Sequence, residues 1–174
     1  MTKSNIIDVT TIGNAIVDII AQCSDNFLSE QDVVKSSMNL IDEERSKSLY
    51  DNLEKPQIIS GGSAANTSVG IAALGSNTAF IGKVKNDELG QTFKDDIEKV
   101  GVSFKTPFSN FGPRTASSII LVTPDAERSM NTYLGACINL DTNDVDENLI
   151  KNSKIVYLEG YLFDLPEAKK LFYN

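Results

Sequence analysis

Three clusters in this sequence have the residue types and spacing to hold a small polar molecule. In Gly61-Gly62-Ser63-Ala64-Ala65-Asn66, two glycines separate a strand-like run from small, helix-compatible residues. Glycines lack Cβ atoms and let a ligand approach the backbone closely. A helix that begins there offers free N–H groups and the positive end of its dipole. Asn66, in the first turn, can donate and accept towards the same spot. The pattern fits equally a tight strand-to-helix turn packed by alanines. It is not a Walker A loop, because no Gly-Lys-Ser/Thr follows, and it is not GxGxxG.

The second cluster is Gly13-Asn14-Ala15-Ile16-Val17-Asp18. A strand ends at Gly13, and Asn14 and Asp18 follow in extended chain. A carboxylate in that place can accept hydrogen bonds from two vicinal hydroxyls, a common way to hold a sugar. A solvated loop aspartate is the alternative. The third cluster starts at Arg128, just after the turn Pro124-Asp125-Ala126-Glu127. Arg128, Asn131 and Tyr133 are read as lying on or near one side of a strand. Arg128 there can meet a phosphate, or it can be a hairpin arginine in water.

Composition removes several other chemistries. The 174 residues fit a single domain, and 41 % hydrophobic with 23 % charged residues is ordinary globular composition. Sixteen Lys and Arg against 24 Asp and Glu leave a net charge of −8. That argues against a nucleic-acid partner and against an anionic membrane, since both need a basic footprint. There is no histidine, which excludes Ser-His-Asp and Cys-His catalysis, His-ligated zinc and a histidine general base. Cys23 and Cys137 stand far apart without a CxxC, so no metal site and no disulfide framework is read here, and the compartment is reducing. No run reaches the ~18 apolar residues of a membrane span. Asp8 interrupts the N-terminus before a signal-peptide core forms. The reading is a soluble, cytoplasmic protein.

The elements that must position these clusters alternate between strand and helix. Residues 6–12 read as a buried β-branched strand, and 15–21 continue extended. Residues 42–54 look like a surface helix with an acidic first turn. Residues 57–60 read as a strand, 63–74 as a helix stopped at Gly75, and 78–84 as a strand. Leu89, Phe93, Ile97 and Val100 mark an amphipathic helix over 87–100. Residues 116–123 and 128–134 form a strand pair, with Pro124 placed as a type I turn prefers. A helix over 143–151, a strand over 154–158 and a helix from Pro166 complete the pattern. Residues 6–13, 57–101 and 144–174 alternate as a doubly wound α/β core does. Residues 14–41 and 103–134 are strand-rich and suggest a small sheet projecting from that core. The whole of 1–174 is one domain. The amphipathic pattern at Ala168, Leu171 and Phe172 is unfinished at Asn174, so the sequence is expected to be a fragment.

Taken in order, Gly13-Asn14 with Asp18, Gly61-Gly62 with Asn66, Gly75, Gly82 and Asn86-Asp87-Glu88-Leu89-Gly90 resemble the ribokinase-like (PfkB-type) carbohydrate and nucleoside kinases. The resemblance continues through Ile119-Leu121-Val122-Thr123-Pro124-Asp125, Arg128 and Tyr157-Leu158-Glu159-Gly160-Tyr161, and is strongest to the bacterial adenosine-kinase-like branch. It implies an α/β fold with a Rossmann-like doubly wound core and a small β-sheet lid, truncated after its first half. It also implies an ATP-dependent kinase that phosphorylates a hydroxymethyl group of a sugar or nucleoside, with an adenosine-like acceptor favoured. Asn14, Asp18, Gly61, Gly62 and Asn66 then line the acceptor pocket, Arg128 neighbours the phosphate, and the strand-rich segments form the lid. Some relatives pair through their lids, so the resemblance leaves open a homodimer formed through the lid.

Two departures stand out. Lys85 replaces a glycine usual before the Asp-x-Leu-Gly segment. The family's Gly-Ala-Gly-Asp-type motif, with its general base and anion hole, belongs to a second half absent from this sequence. ATP and Mg²⁺ are accordingly expected to bind mainly through that missing half, and these residues alone to be inactive. A binding-only domain of the same fold is the alternative. A Rossmann dehydrogenase is disfavoured, because no GxGxxG follows the first strand.

Overall fold

The computed structural model describes residues 6–164, 169, 170 and 173. In chain order the elements are β1 (Ile7–Ile12), β2 (Ile16–Gln22), α1 (Asp25–Glu30), β3 (Met38–Leu40), α2 (Glu43–Asp51), β4 (Gln57–Gly61), α3 (Ser63–Ala73), β5 (Thr78–Ile81), α4 (Glu88–Lys99), β6 (Val102–Phe104), β7 (Ala116–Val122), β8 (Arg128–Tyr133), α5 (Glu147–Lys151) and β9 (Ser153–Leu158). The helix expected from Pro166 falls largely outside the described residues. Among them, no helix is long and apolar enough to cross a membrane.

One sheet is parallel throughout, in the order β6-β5-β1-β9. All four residues of β5 are buried, as a strand covered on both faces must be. On one face Thr11 bonds to the Ala64 carbonyl at 3.1 Å and to Ser68 Oγ at 2.7 Å, which seats α3. On the other face Ile12 and Ile81 meet Leu149 and Ile150 of α5. The expected helix over 143–151 is split. A 3₁₀ turn over Thr142–Asp144 has its own capping box at Asp141, and Asp146 then caps α5.

The second sheet is mixed, in the order β3-β8-β7-β2-β4. β4 sits here, antiparallel to β2, although its place ahead of α3 led to its assignment to the core. A short strand before a glycine turn carries no local record of which sheet it will join. Alternation divides this sheet cleanly. Val17, Ile19, Ala21, Ile119 and Leu121 are buried on one face, and Asp18 with Ile16 and Ile20 is half-buried on the other. α2 covers part of the buried face, with Leu49 fully buried and Ser46 Oγ 3.3 Å from Ser117 Oγ. Asp42 and Asp87 cap α2 and α4 by accepting from Arg45 N–H and Gly90 N–H.

The two sheets share one apolar core, which runs from Ile19 and Leu121 through Leu49 to Phe80 and Phe93. At its centre the rings of Phe80, Phe93 and Phe104 lie 5.5–6.0 Å apart by centroids, the spacing at which aromatic pairs attract. Phe93→Ala should lower unfolding free energy by about 3–5 kcal/mol. Equilibrium urea denaturation measures it, and a loss under about 1 kcal/mol would show that the cluster does not hold the sheets together.

Candidate functional site

The chain crosses between the sheets at two places that meet. After β1 it passes through Gly13-Asn14-Ala15 into β2. After β4 it returns through Gly62 into α3, and Ile16 pairs with Gly61 between the two crossings. Gly62 takes φ +96°, and a Cβ there would overlap the Asn14 carbonyl oxygen. No other residue suits both demands. A Cβ at Gly61 would overlap the carboxyl group of Asp18. The sequence left the glycines open between an approaching ligand and a tight strand-to-helix turn. In the fold, the chain's own Asn14 carbonyl and Asp18 carboxylate take that space, and the glycines bring the first two predicted clusters into one site.

Asp18 is half-buried, and its carboxylate has no hydrogen-bond or ion-pair partner among the described residues. Burial pushes its pKa up to about 6, because desolvation penalises the charged form. Asn14 is buried, and Asn66 is exposed in the first turn of α3, its N–H donating to the Gly62 carbonyl at 2.9 Å. α3 has no side-chain cap.

A residue not singled out for the site from sequence organises it. Glu159, 3 % exposed, follows β9 directly, and its N–H continues the ladder to the Ile12 carbonyl at 2.9 Å. Its carboxylate accepts the Asn14 N–H at 2.5 Å and the Ser63 hydroxyl. The first turn of α3 thus already faces a buried carboxylate, which its dipole favours. A phosphate in the same place would meet a like charge. The signal that could have found Glu159 is its position. An acidic residue at the carboxyl end of a parallel strand lies where open α/β sheets bind ligands.

Arg128 is not brought to this site. It pairs with Val122, whereas Asp18 shares a row with Ser118 and Thr132. Four residues along the strands and two strands across correspond to roughly 13 Å and roughly 10 Å. Alternation also corrects the expectation that Arg128 shares a side with Asn131 and Tyr133. Arg128 is on the Asp18 face, exposed, and the other two are on the opposite face. Among the described residues there is no group of three or more Asp, Glu or Cys placed to hold a metal ion.

A parallel sheet flanked by helices, joined through this double crossing to a strand-rich sheet, is the ribokinase-like α/β fold. The chain matches the pfkB family of carbohydrate kinases over residues 9–172. It is 48 % identical to a probable sugar kinase from Rhizobium etli, with a TM-score of 0.86 over 95 % of this chain and 50 % of that one. It is 51 % identical to adenosine kinase from Sinorhizobium meliloti, with a TM-score of 0.84 over 94 % of this chain and 50 % of that one. A 5-dehydro-2-deoxygluconokinase from Clostridium botulinum is 32 % identical over 103 residues, which are 58 % of this chain and 30 % of that protein. The chain belongs to the pfkB carbohydrate kinase family, and it spans about half the length of the solved structures it matches.

The two site carboxylates should affect stability in opposite directions. The folded pKa of Asp18 lies above its ordinary 3.8, so the ionised group costs stability at pH values above about 6. Asp18→Asn should therefore raise the melting temperature at pH 8. The gain should shrink as pH falls through about 6 and vanish below about 4. Glu159→Ala should instead lose about 1–3 kcal/mol, because it leaves the buried Asn14 N–H unpaired. Thermal and urea melts across pH test both, and a pH-independent Asp18→Asn gain would refute the desolvation argument.

Proposed function

We propose that this chain forms the acceptor-binding part of an ATP-dependent kinase that phosphorylates a hydroxymethyl group of a sugar or nucleoside, with an adenosine-like acceptor favoured. The observation that carries the reading is Asp18, a desolvated carboxylate without a partner among the described residues, set over Gly61 next to the Gly62 position that the Asn14 carbonyl crowds. Such a group gains most from a ligand that brings two hydroxyl donors. The likeness to an adenosine kinase at 51 % identity supports the nucleoside preference.

In this reading ionised Asp18 accepts from two vicinal hydroxyls and fixes the ring. Glu159 holds the Asn14 backbone, so the Asn14 amide presents a fixed donor and acceptor to the same ring. Asn66 closes the side formed by α3. The mixed sheet acts as a lid that keeps water from the transferring phosphoryl group. ATP supplies that group when bound. The residues around Asp18 fit the acceptor and not the nucleotide, since the first turn of α3 faces Glu159 and no metal cluster is present among the described residues. ATP and Mg²⁺ are assigned mainly to parts of the enzyme beyond these residues. Arg128 approaches the phosphoryl group only if the mixed sheet moves as a whole.

Two kinetic tests on the full-length enzyme follow. Asp18→Asn should raise the acceptor KM roughly 10- to 100-fold, as expected for charged hydrogen bonds of about 1.5–3 kcal/mol, and leave the ATP KM within about twofold. Wild-type kcat/KM for the acceptor should fall as pH drops through about 6 and Asp18 takes up a proton, and the variant should lack that limb. An unchanged acceptor KM would remove Asp18 from the site. Nucleoside binding with no phosphoryl transfer under any condition would favour the binding-only reading.

Arg128→Ala should lower kcat by on the order of 10²-fold and move the acceptor KM less, with Arg128→Lys recovering only part. Wild-type kcat in Arg128→Ala would leave Arg128 as an exposed hairpin residue.

A further inference from the structure

The back of the mixed sheet, opposite Asp18, carries a cavity of about 510 Å³. That volume is in the range of small-molecule sites. Strand alternation sends Ile19, Ile58, Ser117 and Tyr133 to this side, and Asp18 and Ile59 to the other. The cavity is the gap between two helices with different allegiances. α2 packs on β7 and β8 of the mixed sheet, whereas α4 packs on β4 and β2 and also on β6 of the parallel sheet.

The floor is apolar, made by Ile19, Ile58 and Leu89, with Tyr50 at the side. The charged groups on the rim sort into two sets. Lys47 pairs with Asp51, and Glu43 accepts the Tyr133 hydroxyl at 2.9 Å, so these are satisfied within the protein. Arg114 and Glu88 are the remaining charges, and neither has an ion pair among the described residues. They are held on the same rim by their neighbours. Thr115 N–H donates to Asp87 Oδ2 at 2.9 Å, and Thr115 Oγ1 to Asp87 Oδ1 at 2.6 Å. Each bonded residue stands next in sequence to one of these two charges. The site therefore offers a guanidinium that lies near the Tyr133 hydroxyl, a carboxylate, neither of them ion-paired among the described residues, and an apolar floor.

The small molecule that satisfies all three is a zwitterion with an apolar side chain. Its carboxylate takes the planar fork of Arg114, its ammonium faces Glu88, and its side chain covers Ile19, Ile58 and Leu89. We propose that this cavity is a second binding site, for a free α-amino acid with a large apolar side chain. It is independent of the acceptor site and stands whether or not the kinase reading does. A ligand there would touch α2, α4 and the strands whose next residues are Asp18 and Ile59.

Calorimetric titration of the chain with L-phenylalanine tests the assignment, with 3-phenylpropionate and phenethylamine as probes that each lack one charge. Arg114 and Glu88 are exposed, so Arg114→Ala and Glu88→Gln should fold normally, and circular dichroism checks that they do. The expected result is saturable one-to-one binding of phenylalanine. Each variant, and each single-charge probe, should bind about tenfold or more weakly, the loss for one charged hydrogen bond. Absence of saturable binding at about 10 mM phenylalanine, weaker than about 3 kcal/mol, would overturn the proposal. So would equal affinity for 3-phenylpropionate, or binding that neither substitution changes.

Discussion

A buried carboxylate governs the geometry of this protein's site. Glu159 sits at the end of β9, accepts the Asn14 N–H, and takes the Ser63 hydroxyl at the start of α3. A carboxyl group at 3 % exposure is tolerable only when its oxygens are bonded. Three segments therefore have to converge on it: the crossing from β1 to β2, the crossing from β4 to α3, and the end of β9. Once they do, the Asn14 carbonyl presses against Gly62, and Asp18 lies over Gly61. The second carboxylate is treated oppositely. Asp18 is partly desolvated and given no partner, so the fold keeps one acid satisfied and leaves the other to be satisfied by something else.

What the sequence disclosed of this arrangement follows the range of its signals. The alternation of elements and the strand-glycine-glycine-helix passage were legible, because both are written in a dozen consecutive residues. The convergence of Asp18 with Gly61 was legible as chemistry but not as packing. Nothing local says that the missing Cβ of Gly61 makes room for an aspartate 43 positions away. Glu159 was quoted as part of a motif and not as a site residue, because its partners are 145 and 96 positions distant. β4 was placed in the wrong sheet because pairing partners are a tertiary property. The side shared by Arg128, Asn131 and Tyr133 was a misread parity, since strand periodicity of two separates the first from the others. α1, β3 and β6 were not separated within segments read only as strand-rich, and β6 joins the parallel sheet rather than the mixed one, again because pairing is a tertiary property.

The shared core explains why the mixed sheet is not a loosely hung appendage. Its buried face is continuous with the side chains beneath α3 and α4, and packed interiors resist gradual deformation. Among the described residues, its other face has no such cover. Met38, Leu40 and Met130 are exposed on β3 and β8, so the sheet is rigidly backed on one side and open on the side that carries Asp18.

The bond between Asn14 and Glu159 also sets an order of events in time. β1 and β9 pair in register, Val9 with Ile155 and Ile12 with Leu158, across nearly the whole chain. Contacts of such separation close late, after the loop entropy between them has been overcome by other structure. A ribosome delivering the chain from its N-terminus releases Asn14, Asp18 and both glycines long before Glu159 exists. The nascent protein can pair β2 with β4 and seat α3 on β1 and β5 while the Asn14 N–H still faces water. The Asn14–Glu159 bond forms only when β9 arrives, so the geometry of the candidate site reports that the parallel sheet has been completed through β9.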